Sequence, residues 1–292
     1  MGTMMKTAIE GSRILLTGAS GGIGRQLALL LASRGASLVL VGRNEQNLVD
    51  LAMNIRAQGG RAHALPFDVS RSEGQVRLIL DAMQHLGGLD MLVNNAAISC
   101  FCEFPHQPME EIERIVATNL TGPMLLARAV LPHFVRNGYG TIVNIGSPMG
   151  SVGFAHFSAY SATKFALRGF SEALRREIGH GGIRVCHVSP GATRTRLHSE
   201  AAMQWSERAD ISMEEADRTA RAILKAIEKG SGEHLIGWKE RLTSKLNGFF
   251  PRAIDLLLAK KNRIARDFAA IPGSAWKSGN VHHYSEFTKK VK

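Results

Sequence analysis

Three residues in the middle of the chain have the chemical types of a proton-donating site. Tyr160 and Lys164 lie four positions apart in the segment YSATK, and Ser147 precedes them in NIGSPMG. Side chains four positions apart on a helix lie on the same face, about one turn from each other. A lysine cation so placed lowers the pKa of a tyrosine, ordinarily near ~10, because it stabilises the phenolate. The spacing alone is more typical of a solvated helix face that carries a stray tyrosine.

A glycine-rich turn near the start of the chain changes this interpretation. The segment RILLTGASGGIGRQLALLLASRG has the pattern of a buried strand, a turn and a helix, with Gly18, Gly22 and Gly24 at the turn. The free N–H groups and the positive dipole end of such a helix favour a phosphate. We therefore predict a dinucleotide site rather than a purely structural turn. A carbonyl that accepts a hydride there needs a proton donor such as Tyr160 and a hydrogen-bond donor such as Ser147.

The end of the second predicted strand favours NADP(H) over NAD(H). A carboxylate at this point would bind the adenosine ribose hydroxyls and repel a 2′-phosphate. The chain has VGRN there, so Gly42 and Arg43 take the place of an acid. Arg43 can pair with a 2′-phosphate through charge-assisted hydrogen bonds. The alternative is that Arg43 is an ordinary exposed arginine.

Alternating apolar runs and helical stretches predict the elements that position these residues. This alternation is typical of a doubly wound parallel sheet with helices on both faces. A helix is expected from Met213 to Lys229, because Ser212 and Glu215 match a capping box. Strands are expected at residues 13–18, 37–42, 61–69, 91–96, 141–146, 183–191 and 233–238.

The composition predicts one large domain, residues 1–238, followed by a basic helical extension, residues 239–292. The chain has 292 residues, of which 45% are hydrophobic, and a net charge of +11. The extension holds twelve Lys or Arg and four Asp or Glu, which accounts for +8 of that charge. Two amphipathic helices are expected there, broken around Pro251. Their apolar face is predicted to include Leu246, Phe249, Phe250, Ile254, Leu257 and Leu258, flanked by Lys245, Arg252, Lys260 and Lys261.

We expect this apolar face to pack over the pocket or against another subunit, with binding to a membrane surface as the alternative. Cys100 and Cys102 are too close in sequence for an unstrained bridge, so they and Cys186 are expected to be reduced thiols. No signal-like segment and no apolar run of spanning length is evident. These features predict a cytoplasmic protein, with peripheral membrane association as a second hypothesis.

Several motifs together resemble those of the short-chain dehydrogenase/reductase family, in its compact branch. They are TGASGGIG at 17–24, DV at 68–69, NNAA at 94–97, Asn119, Ser147, YSATK at 160–164 and PGATRT at 190–195. The resemblance covers about residues 10–238 and implies a Rossmann fold, an NAD(P)-dependent oxidoreductase acting on CH–OH groups, and a homodimer or homotetramer. Three positions depart from the family pattern, namely Ala97, Gly146 and Thr193.

The resemblance also implies residue roles. Tyr160 would be the general acid–base group, Ser147 would orient the substrate oxygen, and Lys164 would hold the nicotinamide ribose. Asn119 would anchor a water that links Lys164 to solvent, the alternative being a helix asparagine bonded to backbone. Asp68 and Val69 would contact adenine, Asn94 and Ala96 the adenosine side, and residues 190–195 the carboxamide. The implied cofactor residues are Gly18, Ser20, Gly22, Ile23, Gly24, Arg43, Asp68, Val69, Asn94, Ala96, Tyr160, Lys164, Pro190, Gly191, Thr193 and Thr195.

The residues expected to shape the substrate pocket are largely apolar. They are Met149, Val152, Phe154, Phe157, Leu197, Met203 and Trp205. A small hydrophobic ketone or secondary alcohol is therefore the expected substrate. Two alternatives remain open, a non-catalytic dinucleotide sensor or scaffold and a lipid ketone reductase at a membrane surface. No metal site is expected, because no acid accompanies His156 or His198 at ligand spacing, and the basic extension lacks the features of a nucleic-acid-binding module.

Overall fold

The computed structural model describes residues 9–178 and 182–269. Seven parallel strands form a single sheet in the order β3-β2-β1-β4-β5-β6-β7. The strand order reverses between β1 and β4, so the connections leave a crevice at the carboxyl ends of these two strands. The strands are β1 Arg13–Thr17, β2 Ser37–Gly42, β3 Arg61–Pro66, β4 Met91–Asn94, β5 Gly140–Ile145, β6 Ile183–Ser189 and β7 Gly232–Leu235.

Helices cover both faces of the sheet, which confirms the predicted doubly wound architecture. Helices α1, α2 and α8 pack on one face, and α3, α5 and α6 pack on the other. The helices are α1 Gly22–Ser33, α2 Glu45–Ala57, α3 Gln75–Leu86, α4 Met109–Val116, α5 Gly122–Asn137, α6 Ser158–Ile178, α7 Glu200–Arg208, α8 Ala216–Lys229, α9 Trp238–Phe249 and α10 Pro251–Ala269.

Alternation along β1 shows how the two layers of the core form. Leu16 points to the layer that contains Leu27 and Leu31 of α1, while Leu15 points to the layer that contains Phe134 of α5. All five side chains have no solvent exposure. Successive residues of a strand face opposite sides, so this unbroken apolar run is buried on both faces. Burial of such a side chain contributes about 1.5–3 kcal/mol to stability.

Six of the seven predicted strands end earlier than expected, and only β2 ends where the sequence places it. Strands β1, β3 and β6 stop before the residues assigned to the cofactor site, and β4 stops at Asn94, before Ala96. Strands β1, β3, β4 and β6 are followed directly by Gly18, Phe67, Asn95 and Pro190. These four residues begin the loops at the carboxyl edge of the sheet. Ligands of open α/β sheets bind at this edge, so the shortening places the predicted residues in loops that face the crevice.

Helix α8 begins later than the predicted start at Met213, and the capping box is wrong. Its N-cap is Glu215, whose side chain makes no capping hydrogen bond. The backbone of Glu214 is already paired with the 190–195 loop, since its N–H donates to Ala192 O at 2.8 Å and its carbonyl accepts from Arg194 N at 2.9 Å. This pairing holds residue 214 outside the helix, so α8 starts at Ala216, three residues after the predicted start.

One helix reaches the length and apolar composition of a membrane span, contrary to the expectation from the sequence. It runs without interruption from Met109 to Asn137 through α4, a π-helical turn at Ala117–Thr121, and α5. Leu126, Val130 and Phe134 are fully buried against the sheet. These contacts are typical of a core helix of a globular domain.

The C-terminal helices α9 and α10 break at Pro251, as predicted. The predicted apolar face divides into two groups. Ile254 is 2% exposed and Leu258 is half-buried, whereas Phe249 is 79% and Leu257 68% exposed. The part of the extension beyond Ala269 lies outside the described residues.

Candidate active site

Close packing requires glycine at two positions of the turn after β1. Gly18 has a φ of +62°, and a Cβ there would lie 2.8 Å from the Cα of Ala96. A Cβ on Gly24 would collide with the carbonyl oxygen of Gly18. Any side chain at these positions would push the turn away from the start of α1. The turn therefore presents backbone N–H groups and the helix N-terminus to the crevice, as a phosphate site requires.

An asparagine that the sequence analysis did not single out holds this turn in place. The side-chain amide of Asn95 donates to Thr17 O at 3.0 Å and to Gly18 O at 3.2 Å. The hydroxyl of Thr17 accepts in return from the backbone N–H groups of Asn95 and Ala96, at 3.0 and 3.1 Å. These four bonds join the carboxyl ends of β1 and β4. The two adjacent asparagines of NNAA are the feature of the sequence that could have identified Asn95.

The predicted adenosine residues lie together beside β2 and β3. Arg43 is exposed directly after β2, and its charge, with that of Arg71, helps lower the pKa of Asp68. Burial acts to raise the pKa of Asp68. Two hydrogen bonds from Ser70 to the carboxylate, at 2.8 and 3.0 Å, act with the two arginines to lower it, and the pKa is lowered overall. Ser20 approaches Gly42 at the same end of the crevice. The site here is cationic and open, which suits a phosphate.

Three predicted cofactor residues turn their side chains away from the crevice. Val69 is 6% exposed within the core, and Ile23 packs against the opposite core layer. The side chain of Asn94 is buried and donates to Asn144 Oδ1 at 2.9 Å. The Asn94 side chain points across the sheet because Asn94 still belongs to β4, and the assignment of Asn94 to the adenosine side stays a prediction.

The 190–195 loop closes over the glycine turn. A Cβ on Gly22 would lie 2.7 Å from the methyl group of Thr195, so the two segments are in close contact. Thr193 hydrogen-bonds the Thr219 hydroxyl at 3.0 Å and donates to Gly191 O at 3.0 Å. These two bonds account for a polar residue at position 193, where the chain departs from the family pattern. Pro190 is buried at the end of β6, while Gly191 is half-buried. The loop thus lies beside the glycine turn, as a cofactor site between them would need.

Ser147, Tyr160 and Lys164 meet at the carboxyl end of β5. The Lys164 Nζ lies 5.6 Å from the ring centroid of Tyr160 and donates to Ile145 O at 2.9 Å. The Ser147 hydroxyl accepts from the N–H of Met149 at 3.2 Å and also hydrogen-bonds Tyr160. Tyr160 and Lys164 are 7% and 2% exposed, so water screens this cluster poorly.

Burial dominates the proton affinities of the pair in the structure. It raises the pKa of Tyr160 to about 12, against a hydrogen bond with Ser147 that acts in the opposite direction. Burial also lowers the pKa of Lys164 to about 8. The expectation that Lys164 brings the pKa of Tyr160 below its ordinary value is therefore not met in this state, because loss of water destabilises both charged forms.

Asn119 clamps the loop after β4 to helix α6. It lies in the π-helical turn, its amide donates to Ile98 O at 2.9 Å and Thr163 Oγ1 at 3.2 Å, and its carbonyl oxygen accepts from Ile98 N at 2.9 Å. The two bonds to the backbone of Ile98 match the alternative expectation for Asn119, a helix asparagine bonded to backbone. Since Thr163 precedes Lys164, the clamp also fixes the lysine. Its role in a water relay stays a prediction.

A buried histidine under the site explains the unusual glycine before Ser147. A Cβ on Gly146 would collide with the His187 ring. The His187 ring is 3% exposed and pairs with Ser171 Oγ at 3.3 Å and Ser189 Oγ at 3.2 Å. Burial, with the nearby charge of Lys164, lowers the pKa of His187 to about 3, so the ring is neutral. Sequence reasoning missed it, although a histidine inside a buried strand was a signal.

An aromatic cluster packs beside Tyr160. Trp205 of α7 stacks on Phe101 at 5.4 Å between ring centroids, and Phe157 lies 5.8 Å from Trp205 and 6.4 Å from Tyr160. Phe101 was not among the predicted pocket residues. The half-buried side chains that pack around the cluster include Met149, Phe154, Ile264 and Phe268. The Tyr160 ring is therefore packed among apolar side chains, and the hydrophobic substrate pocket stays a prediction.

The remaining reactive side chains do not form a metal centre. Within residues 9–178 and 182–269, no group of three His, Cys, Asp or Glu side chains is placed to hold a metal ion. All three cysteines are free, with Cys100 and Cys102 sulfurs 3.2 Å apart. A hydrogen bond from Cys100 lowers the pKa of Cys102.

Comparison with known proteins gives a consistent result. The family model for short chain dehydrogenase matches residues 12–205. A ketoacyl reductase, HetN, from Nostoc sp. is 33% identical over 266 residues, which cover 91% of this chain and 92% of that protein. A glucose 1-dehydrogenase from Gluconobacter oxydans is 34% identical over 202 residues, which cover 68% of this chain and 74% of that protein.

Two solved structures share the architecture. A metagenomic short-chain oxidoreductase in complex with NADP has a TM-score of 0.67 and 30% identity, covering 79% of this chain and 98% of that one. A short-chain dehydrogenase/reductase from Burkholderia phymatum in complex with NAD has a TM-score of 0.76, covers 87% of this chain and 96% of that one, and at 22% identity supports the fold alone. The chain belongs to the short-chain dehydrogenase/reductase family of oxidoreductases.

Proposed function

We propose that this oxidoreductase transfers hydride between NADP(H) and a hydrophobic ketone or secondary alcohol, with Tyr160 as the general acid–base group. The observation that carries the proposal is the meeting of Ser147, Tyr160 and Lys164 beside an aromatic cluster, at the sheet edge that also holds the glycine turn. The turn and the Thr195 segment fit a dinucleotide, because no side chain at Gly18, Gly22 or Gly24 blocks the start of α1.

The side chains divide the work of carbonyl reduction. A bound nicotinamide would supply the hydride. Ser147 would donate a hydrogen bond to the carbonyl oxygen, and Tyr160 would transfer its phenolic proton to that oxygen as negative charge develops. Lys164 would bind the nicotinamide ribose, and its charge would favour the phenolate that Tyr160 leaves. Asn119 would hold the lysine through its bond to Thr163.

The substrate class follows from the pocket and one relative. Half-buried Phe101, Met149 and Phe154 pack on the buried rings of Phe157 and Trp205 and offer apolar surface. A sugar would leave its hydroxyl groups unpaired against these rings, which disfavours the reaction named for the Gluconobacter relative. The Nostoc relative, similar over nearly the whole chain, is named a ketoacyl reductase. We infer that the substrate is a ketoacyl compound with a hydrocarbon chain.

Activity is expected to rise with the length of that chain. With NADPH and 3-ketoacyl thioesters, kcat/KM should increase about fourfold per buried CH₂, since each contributes about 0.8 kcal/mol, until the pocket is filled. The measurement is the loss of NADPH absorbance over a series of chain lengths, with glucose and NADP⁺ as the comparison. Faster turnover of glucose than of every thioester would contradict the assignment.

Arg43 is expected to select NADPH. Arg43→Asp should weaken NADPH binding by about 10- to 100-fold, because a charge-assisted hydrogen bond of about 1.5–3 kcal/mol is replaced by repulsion, and should strengthen NADH binding. Titrations followed by tryptophan fluorescence measure both affinities. Arg61→Asp is the matched control, since Arg61 is also exposed but begins β3 at the far edge of the sheet. Equal affinity of the Arg43→Asp and wild-type proteins for NADPH would refute the role of Arg43.

A further inference from the structure

Helix α9 carries its apolar side chains on the outside of the protein. Trp238, Leu242, Leu246 and Phe249 are 71%, 51%, 36% and 79% exposed. An α-helix turns ~100° per residue, so these four lie within about 80° of one another on one face. They form a continuous apolar stripe along the whole helix. We call this the α9 stripe.

The opposite side of α9 is polar and faces the protein. Asn247 donates to the backbone oxygen of Ser151 at 3.0 Å, and Thr243 and Ser244 are half-buried. A surface helix of a soluble protein normally turns its apolar face inward. The polarity of α9 is therefore inverted, and burial in the core of this chain does not account for the stripe.

Helix α10 extends the same surface and fixes it to the substrate side of the site. Ile254 and Ala265 anchor α10 inward, and the Trp205 indole donates to Lys261 O at 3.2 Å. Leu256 and Leu257 point outward, with 79% and 68% exposure. The two helices, called here the α9–α10 hairpin, thus pack on the protein through their inner sides and expose Leu256 and Leu257 beside the α9 stripe.

Cations border the apolar surface on both helices. Lys239, Arg241 and Lys245 flank the α9 stripe, and all three are exposed. On α10, Arg252, Lys260 and Arg263 are exposed on the outward side that carries Leu256. Residues 239–269 contain eight Lys or Arg and three Asp or Glu, which gives them a net charge of +5. Apolar side chains level with a rim of cations match the depth profile of an anionic lipid surface.

We propose that the α9–α10 hairpin binds an anionic lipid surface, with the α9 stripe, Leu256 and Leu257 in the acyl boundary and the cations at the headgroups. A second copy of the chain is disfavoured as the occupant. A two-fold interface through this face would bring the same set of cations together, where like charges repel. The proposal does not depend on the reaction, because it rests only on the hairpin.

The test is sedimentation of the full chain with vesicles. Wild type is expected to sediment with vesicles of phosphatidylcholine and phosphatidylglycerol and much less with phosphatidylcholine alone, and high salt should release it. The triple variant Leu242→Gln, Phe249→Gln, Leu256→Gln should lose about tenfold or more of this affinity. The matched control is Met53→Gln, Leu80→Gln, Val135→Gln, whose side chains are 54–64% exposed on other helices.

Two results would overturn the proposal. One is equal vesicle binding by the hairpin variant and the control variant. The other is a wild-type protein that does not bind the anionic vesicles, together with a hairpin variant that alone shifts to a smaller mass on gel filtration. That result would assign the surface to a second copy of the chain. NADPH turnover measured without vesicles separates both results from a failure of the enzymatic proposal.

Discussion

Replacement of Tyr160 by phenylalanine is expected to lower kcat by about 10²- to 10⁴-fold, the range that a positioned acid–base group contributes. Phenylalanine keeps the ring that contacts Phe157 at 6.4 Å and removes only the hydroxyl group. The fold and the cofactor cradle should therefore be unchanged, with NADPH affinity within about twofold of wild type. Steady-state assays with a ketoacyl thioester measure the loss.

Tyr139→Phe is the matched control for this variant. Tyr139 is 47% exposed, and its hydroxyl group contacts Arg13 at the amino edge of the sheet. That edge lies opposite the site, so kcat should not change. A Tyr160→Phe protein with wild-type turnover would remove the general acid–base role from Tyr160.

Replacement of Lys164 by methionine is expected to reduce kcat at pH 7 by about 10- to 10³-fold, because a neighbouring cation shifts a pKa by about 1–3 units. Methionine fills a similar volume without the charge. Loss of the cation destabilises the phenolate, so the pKa of Tyr160 rises. The limb of the pH–rate profile that depends on this group should move to higher pH. KM for NADPH should also rise, since the ribose loses a donor.

A structural role alone would give a different outcome for Lys164. The ammonium donates to Ile145 O, so methionine also leaves a buried carbonyl unpaired, which costs about 1–3 kcal/mol. Urea unfolding measures that loss separately from turnover. A Lys164→Met protein that is less stable but keeps the wild-type pH–rate profile would show that the lysine supports the fold and does not tune Tyr160.

The sequence could predict the sheet and the meeting of the proposed catalytic residues at its edge because their signals are local. Strands β1, β2 and β4 are near-continuous apolar runs, and the glycines mark positions where the backbone itself is close to another segment, as between Gly18 and Ala96. The carboxyl edge of a parallel sheet collects the residues that follow the strands. Ser147, Tyr160 and Lys164 could therefore be placed in one site before any coordinates were known.

Other features depend on contacts between distant segments, which local patterns do not encode. Asn94 and Asn95 are neighbours in sequence, yet one crosses the sheet to Asn144 and the other holds the glycine turn. The capping box at Ser212 failed because residue 214 pairs with a loop twenty residues earlier. The contact between His187 and Gly146 depends on the pairing of β5 with β6, so the local sequence does not reveal it.

The proposed function requires hydride and proton transfer at this site and not cofactor binding alone. The most direct test is a single turnover with NADPH deuterated at the transferred position of C4, by wild type and by Tyr160→Phe, on a 3-ketoacyl thioester. We predict that wild type places deuterium on the carbinol carbon and that Tyr160→Phe binds NADPH but forms product at least about 10²-fold more slowly. Tight NADPH binding by wild type with no labelled alcohol from any carbonyl compound would contradict the account and identify a dinucleotide sensor.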